Sequence, residues 1–163
     1  MSTGETVRIR DAVLGDVAAI HALVGELADY EKLRHQFIGR PEDLAAHLFA
    51  EPRYAWALVA EDAGVVVGFA LYFFNYSTFL CRPGIYLEDL YVQPAQRRRG
   101  TGRHLLEELA RRAVARGCGR LEWAVLDWNA PSIAFYKQLG AVPLGEWTTF
   151  RLTGDALTRL AAT

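Results

Sequence analysis

Apolar residues recur along the chain in two periods, and the alternation between those periods outlines a fold. Val7 to Arg10 has the short extended pattern of a strand. Asp16 stands where it can cap a helix, and Val17, Ile20, Val24 and Leu27 follow at helical spacing, lining one face until about Tyr30. Pro41, with Glu42 and Asp43 behind it, suits the first turn of a short second helix. The missing proline amide is harmless there, acidic groups complement the helix dipole, and Leu44 and Leu48 face inward. Tyr54 to Glu61 and Val65 to Tyr76 are rich in β-branched and aromatic residues. Asp62-Ala63-Gly64 between them is turn chemistry, which predicts a hairpin. A strand from Ile85 to Val92 then feeds a helix from Gly100 to Arg116, with Leu105, Leu106, Leu109 and Val114 on its buried face and Gly117 placed to end it. A strand over Arg120 to Val125, a helix from Ser132 to Leu139 stopped at Gly140, a last strand from Trp147 to Leu152 and a small helix over Gly154 to Thr163 complete an alternating α/β succession.

No linker, charge block or repeat interrupts that succession, so the 163 residues read as a single domain spanning 1–163. A hydrophobic fraction of 52% supplies the apolar surface that a disordered chain lacks. The longest apolar run, Val65 to Phe74, is broken by Gly68 and falls short of the roughly 18 to 20 residues of a membrane span. Met1 to Arg10 has no apolar stretch after a basic segment, so no leader is expected. With 18 basic against 19 acidic side chains and a net charge of −1, the chain has no overall field for nucleic acid or an anionic membrane, and neither is expected as a partner. Two cysteines, Cys81 and Cys118, are too few for a disulfide scaffold. Reduced thiols and a cytoplasmic setting are the expectation, and neither cysteine reads as a nucleophile. His21, His35, His47 and His104 are scattered without ligand spacing, so no metal is expected.

The one local basic patch coincides with the most informative stretch. Tyr86-Leu87-Glu88-Asp89-Leu90-Tyr91-Val92 runs through Gln93-Pro94 into Arg97-Arg98-Arg99-Gly100-Thr101-Gly102, so a strand feeds a basic, glycine-containing helix start. Free amides, a favourable dipole and glycines that admit close backbone approach make an anion cradle suited to a pyrophosphate. The spacing is not that of a Walker loop, and only two of the three Rossmann glycines are present. Taken alone, Arg97-x-x-Gly100-x-Gly102 fits a solvated charge run with a helix cap equally well. Downstream, Asp127-Trp128-Asn129-Ala130-Pro131-Ser132 leads into Phe135-Tyr136-Lys137-Gln138-Leu139-Gly140-Ala141.

On these motifs the chain resembles the GNAT superfamily of N-acetyltransferases, whose coenzyme A motif reads Arg/Gln-x-x-Gly-x-Gly/Ala after the fourth strand. Glu26 to Glu31, Val67 to Tyr72 and Tyr86 to Asp89 are similar to the spermidine/spermine and thialysine acetyltransferase branch. The resemblance spans Val7 to about Leu152. It implies a mixed, mostly antiparallel sheet splayed between its fourth and fifth strands and flanked by helices, with acetyl-CoA as co-substrate and a homodimer as the assembly. The implied acceptor is a small amine of polycation or lysine-like type, with protein lysines, amino acids and aminoglycosides as alternatives. A non-catalytic coenzyme A-binding module is the reading from outside enzymology.

Residue by residue, the resemblance assigns Arg97, Arg98, Arg99, Gly100, Thr101, Gly102 and Arg103 to the pyrophosphate. The main chain of Leu90, Tyr91 and Val92 pairs with pantetheine as an added strand would. Asn129 and Ser132 match positions near the pantetheine and thiol, although a turn and helix cap explain Asn129 as well. Tyr136 matches the hydroxyl that protonates the departing thiolate; a phenol of pKa about 10 starts protonated at neutral pH. Its alternative is packing beside Phe135. Glu88 matches the residue that binds the acceptor ammonium or takes its proton, against a structural carboxylate held by amides or an arginine. Glu88 and Asp89 are adjacent on a strand, so their side chains are expected on opposite faces, where they cannot form a shared carboxylate pair and need separate roles. Tyr30 and Glu31 match an acceptor-recognition pair, with a surface helix end as the alternative, and Lys32 to His35 add positive charge nearby. Trp123 and Trp128 are candidates for the acceptor channel or for the core.

Overall fold

The computed structural model describes residues 7–162; the sequence reading that no leader precedes the fold rests partly on residues outside that range. Five strands form one sheet in sequential order: β1 (Arg8–Asp11), β2 (Trp56–Asp62), β3 (Val65–Ser77), β4 (Arg82–Val92) and β5 (Leu121–Trp123). The first four pair antiparallel, and β4 with β5 is parallel. Two helices, α1 (Val17–Tyr30) and α2 (Pro41–Phe49), precede the β2–β3 hairpin, and α3 (Thr101–Ala115) joins β4 to β5. A mixed, mostly antiparallel sheet flanked by helices is the expected fold.

Strand alternation sorts the core. Ala57, Val59, Phe69 and Tyr91 point to the side where Ile20, Leu23 and Leu27 of α1 and Leu48 of α2 close over them. Their neighbours Leu58, Ala60, Ala70 and Tyr72 are also buried, on the side that α3 covers with Leu105, Leu106 and Leu109. The expected stripe on α3 is corrected at its end. Val114 is 80% exposed and Ala113 is buried instead, because the inward face advances in steps of three and four and 113, not 114, follows 106 and 109.

Asp16 does not cap α1 with its side chain. A 3-10 turn at Leu14–Asp16 leads into the helix, and the buried Asp16 carboxylate accepts from both Arg10 Nη groups, at 2.7 and 3.1 Å, and from the Val13 amide at 2.8 Å. Arg10 also donates to Glu61 on β2, so one guanidinium ties the four-residue β1 both to the start of α1 and to its neighbouring strand.

The chain divides after Ala124 into two compact units. The second contains α4 (Ala130–Gln138) and α5 (Gly154–Ala161). Two strand expectations are corrected here. β5 covers only Leu121–Trp123 of the expected Arg120 to Val125, and Trp147 to Leu152 is not a strand. The latter segment has a strand-like composition, but no described strand supplies a ladder for its amides, and a strand without a neighbour is not stable in water. Trp147 is 76% and Phe150 91% exposed.

Candidate active site

The pairing of β4 creates the opening that a strand-like ligand needs. On one edge β4 is paired to its end, with Leu90, Tyr91 and Val92 opposite Ala70, Phe69 and Gly68. On the other edge β5 matches only Ile85, Tyr86 and Leu87, so beyond Leu87 no described strand pairs with that side of β4. The sheet splays where resemblance places the pantetheine. Gly68 permits the close pairing opposite: a Cβ there would lie 2.9 Å from the Tyr91 carbonyl oxygen.

Immediately after β4 the chain turns through a 3-10 segment at Pro94–Gln96 into the start of α3. Gly100 sits at the N-cap with φ +79°, a left-handed conformation that costs glycine little, and no side chain caps the helix. His104 is the first helix amide to find an intrahelical acceptor, the Gly100 carbonyl at 2.9 Å, so the amides of Thr101, Gly102 and Arg103 precede the ladder. Thr101 Oγ1 is buried without a hydrogen-bond partner. An uncapped, amide-rich helix start with an orphaned hydroxyl fits a pyrophosphate on chemistry alone.

The arginines of this loop are divided in their duties. Arg99 donates to Asp62, at the hairpin turn, and to Gln96, which itself donates to Asp62 at 2.8 Å, so both pin the loop to β2. Arg103 pairs with Glu107 one turn along α3. Arg98 has φ +64°, a second left-handed residue in the loop. Arg97 donates through Nε to the Val92 carbonyl at 3.0 Å, and its guanidinium lies 5.2 Å from the Tyr30 ring and 5.4 Å from the Tyr91 ring. Tyr91 OH and Gln93 both donate to Glu26 at 3.1 Å. Tyr30, from the acceptor pair, is thus joined to the coenzyme loop through a single cation.

Glu88 and Asp89 depart from the expected alternation. Leu71 lies opposite Asp89 and Tyr72 opposite Leu87, leaving Glu88 an extra residue without a partner on β3. Such a bulge interrupts the two-residue period and re-aims side chains, so the two carboxylates are not forced onto opposite faces. Glu88 is exposed and Asp89 is partly buried. Burial, then the charges of Glu88 and Glu31, push the Asp89 carboxyl up to about 6. Burial also raises Glu31. Three carboxylates from the end of α1 and the bulge of β4 therefore share one neighbourhood. Arg34, one of the cations expected to oppose an amine here, is engaged by Asp29 at 3.0 Å.

Asp89 was missing from the residues marked by sequence reasoning. The Glu-Asp doublet was visible, but the bulge that couples its members was not. Asn129, Ser132 and Tyr136 belong to the second unit. Asn129 is buried and its Oδ1 accepts from the Ser132 amide at 3.4 Å, the helix-cap role that its sequence also allowed. Tyr136 is half-buried, its ring 5.5 Å from that of Phe135. Trp123 is half-buried on β5, and Trp128 is 50% exposed, so neither is core.

The acetyltransferase (GNAT) family model matches residues 21–141, most of the chain and all of the motifs described. The chain belongs to the GNAT family. It is an N-acetyltransferase, and enzymes of this family use acetyl-CoA as co-substrate. A thialysine N-epsilon-acetyltransferase from Bos taurus is 43% identical over 95% of this chain and 97% of the relative. An L-ornithine N5-acetyltransferase from Arabidopsis thaliana is 35% identical over 92% of this chain and 86% of its own. Among solved structures, an integron cassette protein from V. cholerae superposes with a TM-score of 0.81 at 27% identity, covering 98% of this chain and 100% of that one. No helix among the described residues is long and apolar enough to cross a membrane.

Proposed function

We propose that this GNAT enzyme acetylates the terminal amine of a small lysine-like or diamine acceptor, and that the carboxylates Glu31, Glu88 and Asp89 select it. The grouping of these three acids beside the splayed end of β4 carries the reading, because it attracts a molecule with more than one ammonium. The relatives named for thialysine and L-ornithine act on amines of that class.

In this reaction the acceptor nitrogen attacks the thioester carbonyl carbon, forming the C–N bond. The tetrahedral intermediate collapses with cleavage of the C–S bond. Strand amides near Leu90 receive the developing oxyanion. The ammonium proton passes to the Glu88–Asp89 pair, directly or through water, since only the neutral amine attacks. Tyr136 gives its hydroxyl proton to the coenzyme A thiolate and is reprotonated from solvent, while the attacking nitrogen sheds its second proton to water to leave the neutral amide. Leu90, Tyr91 and Val92 align pantetheine; Arg97, Arg98, Arg99, Gly100, Thr101, Gly102 and Arg103 form the pyrophosphate loop, through main-chain amides more than guanidiniums. Asn129 and Ser132 lie near the thiol, and Tyr30 with Glu31 receives the remote ammonium. Residues 1–163 act together as one acetyltransferase domain, a reading supported by the family match running across both compact units. Homodimerisation is part of the proposal, supported by the exposed Trp147 and Phe150. So is a cytoplasmic setting, supported by the free thiols Cys81 and Cys118.

Acceptor profiling with free-thiol detection tests the assignment. Thialysine, ornithine and linear diamines are expected to outpace matched monoamines, and Glu31→Gln to raise the acceptor KM and flatten that preference with little change in kcat. Equal rates for mono- and diamines, unchanged by Glu31→Gln, would remove the acceptor assignment and leave the family assignment intact. Tyr136→Phe is expected to lower turnover by roughly ten- to ten-thousand-fold with acetyl-CoA binding preserved. Full turnover in that variant would return Tyr136 to packing.

A further inference from the structure

At the far end of α3 from the coenzyme loop lies a cavity of about 530 Å³ that acetyl transfer leaves without a role. Arg112 and Arg116 on its wall stand some 20 Å along the helix from Thr101, at 1.5 Å per residue. Three guanidiniums, those of Arg53, Arg112 and Arg116, line it with one carboxylate, Asp11. That carboxylate is already neutralised: Arg112 donates to both its oxygens, at 2.6 and 3.0 Å, and reaches Tyr72 OH at 3.4 Å. Arg53 and Arg116 have no carboxylate partner among the described residues.

Both remaining cations are held by ring faces. The Arg53 guanidinium lies 4.9 Å from the Trp56 ring and 5.9 Å from Phe49, and among the described residues it donates only through Nε, to the Ala55 carbonyl at 3.1 Å. Arg116 lies 5.0 Å from the Phe74 ring. Cation–π contact orients a guanidinium by its face and leaves its N–H edge for planar, bidentate recognition of an oxyanion. The charges of Arg53 and Arg116 both help hold the Asp11 carboxyl below its ordinary range, after the larger effect of Arg112, so the three cations converge on one space. That space carries two unneutralised positive charges in a chain whose net charge is −1. It is larger than an inorganic ion needs and falls within the roughly 300 to 1,000 Å³ range of small-molecule sites. Val13 and Leu14, 56% and 64% exposed, also line it and offer an apolar surface to the remainder of such a molecule.

We propose that this cavity is a second ligand site, which takes a phosphate monoester on an apolar body, with Arg53 and Arg116 gripping the phosphate and Val13 and Leu14 against the body. A phosphate monoester carries about −1.5 to −2 at neutral pH, matching the excess charge. Phenyl phosphate is the probe, titrated into the full chain by calorimetry with and without one equivalent of coenzyme A. It is expected to bind in both cases, at least about tenfold more tightly than inorganic phosphate, and Arg53→Gln and Arg116→Gln are each expected to weaken it by about tenfold. Both arginines are exposed and neither belongs to the acetyl-transfer machinery, so the variants are expected to fold and to keep parental turnover without the probe. Displacement of phenyl phosphate by the single equivalent of coenzyme A would show that it occupies the coenzyme loop and overturn the proposal. Undiminished binding by both variants, or equal affinity for inorganic phosphate, would overturn it too.

Discussion

Burying Asp89 beside Glu88 and Glu31 raises its carboxyl to about 6, against about 3.9 in an unfolded chain. Between those two values the native state keeps a proton that the unfolded state has lost, so stability falls as pH rises through the interval and the penalty is complete above about 6. The full penalty is of order 2 to 3 kcal/mol. Asp89→Asn is therefore expected to stabilise the fold at pH 7 by about 1 to 2 kcal/mol, allowing for burial of the amide, and to leave stability at pH 4 nearly unchanged. Equal gains at both pH values would assign the effect to packing. In the proposed reaction the same site takes the acceptor's proton, and a carboxylate that must be ionised to do so gives kcat an acidic limb near 6. Asp89→Asn is expected to abolish that limb and cut kcat by roughly a hundredfold or more, whereas retention of the limb would place the titrating group elsewhere. A substitution that gains stability and loses turnover is the exchange expected where a charge is buried for use.

Elements whose signals are local were legible in the sequence. The helical stripe of α1, the proline start of α2, the turn at Asp62 to Gly64 and the glycine that opens α3 all appear where their residues point. Features that depend on a partner were not. The β4 bulge exists only in register with β3, and nothing within Tyr86 to Val92 announces an extra residue. Trp147 to Leu152 has strand composition, but its backbone lacks a described neighbour. Asp16 had the chemistry of a cap, and its engagement by Arg10 arises because β1 and the turn before α1 fold back on each other. That last contact makes β1 an element held by side chains as much as by its ladder. Arg10 lowers the Asp16 carboxyl, mainly by hydrogen bonding, so the contribution is present above the unfolded value and lost as pH falls through the folded one. Asp16→Ala is expected to cost about 1 to 3 kcal/mol at pH 7, moderated because Arg10 retains Glu61. The gap between variant and parent is expected to narrow as pH falls from 3.8 toward the lowered folded value, at which the parent also loses the charge. A gap that persists unchanged in acid would trace the loss to packing around Val13 rather than to the ion pair.

Over the whole molecule, apolar exposure is concentrated where the expected last strand did not form. Val142, Leu144, Trp147 and Phe150 are 78%, 61%, 76% and 91% exposed within ten residues of chain, beyond the scattered single hydrophobics that any monomer shows. No described strand pairs with Trp147 to Leu152, so a partner that offers backbone pairing as well as apolar contact suits the segment. A second copy of the chain offers both through the same segment, and two identical surfaces related by a twofold axis satisfy each other in one closed contact. Sedimentation equilibrium is expected to give twice the 18.2 kDa chain mass at micromolar concentration. Trp147→Ser combined with Phe150→Ser is expected to shift the species to the monomer while α3 and the coenzyme loop, in the other unit, retain acetyl-CoA binding. A parent chain that sediments as a monomer would refute the dimer. A double variant that remains dimeric would move the interface elsewhere on the surface.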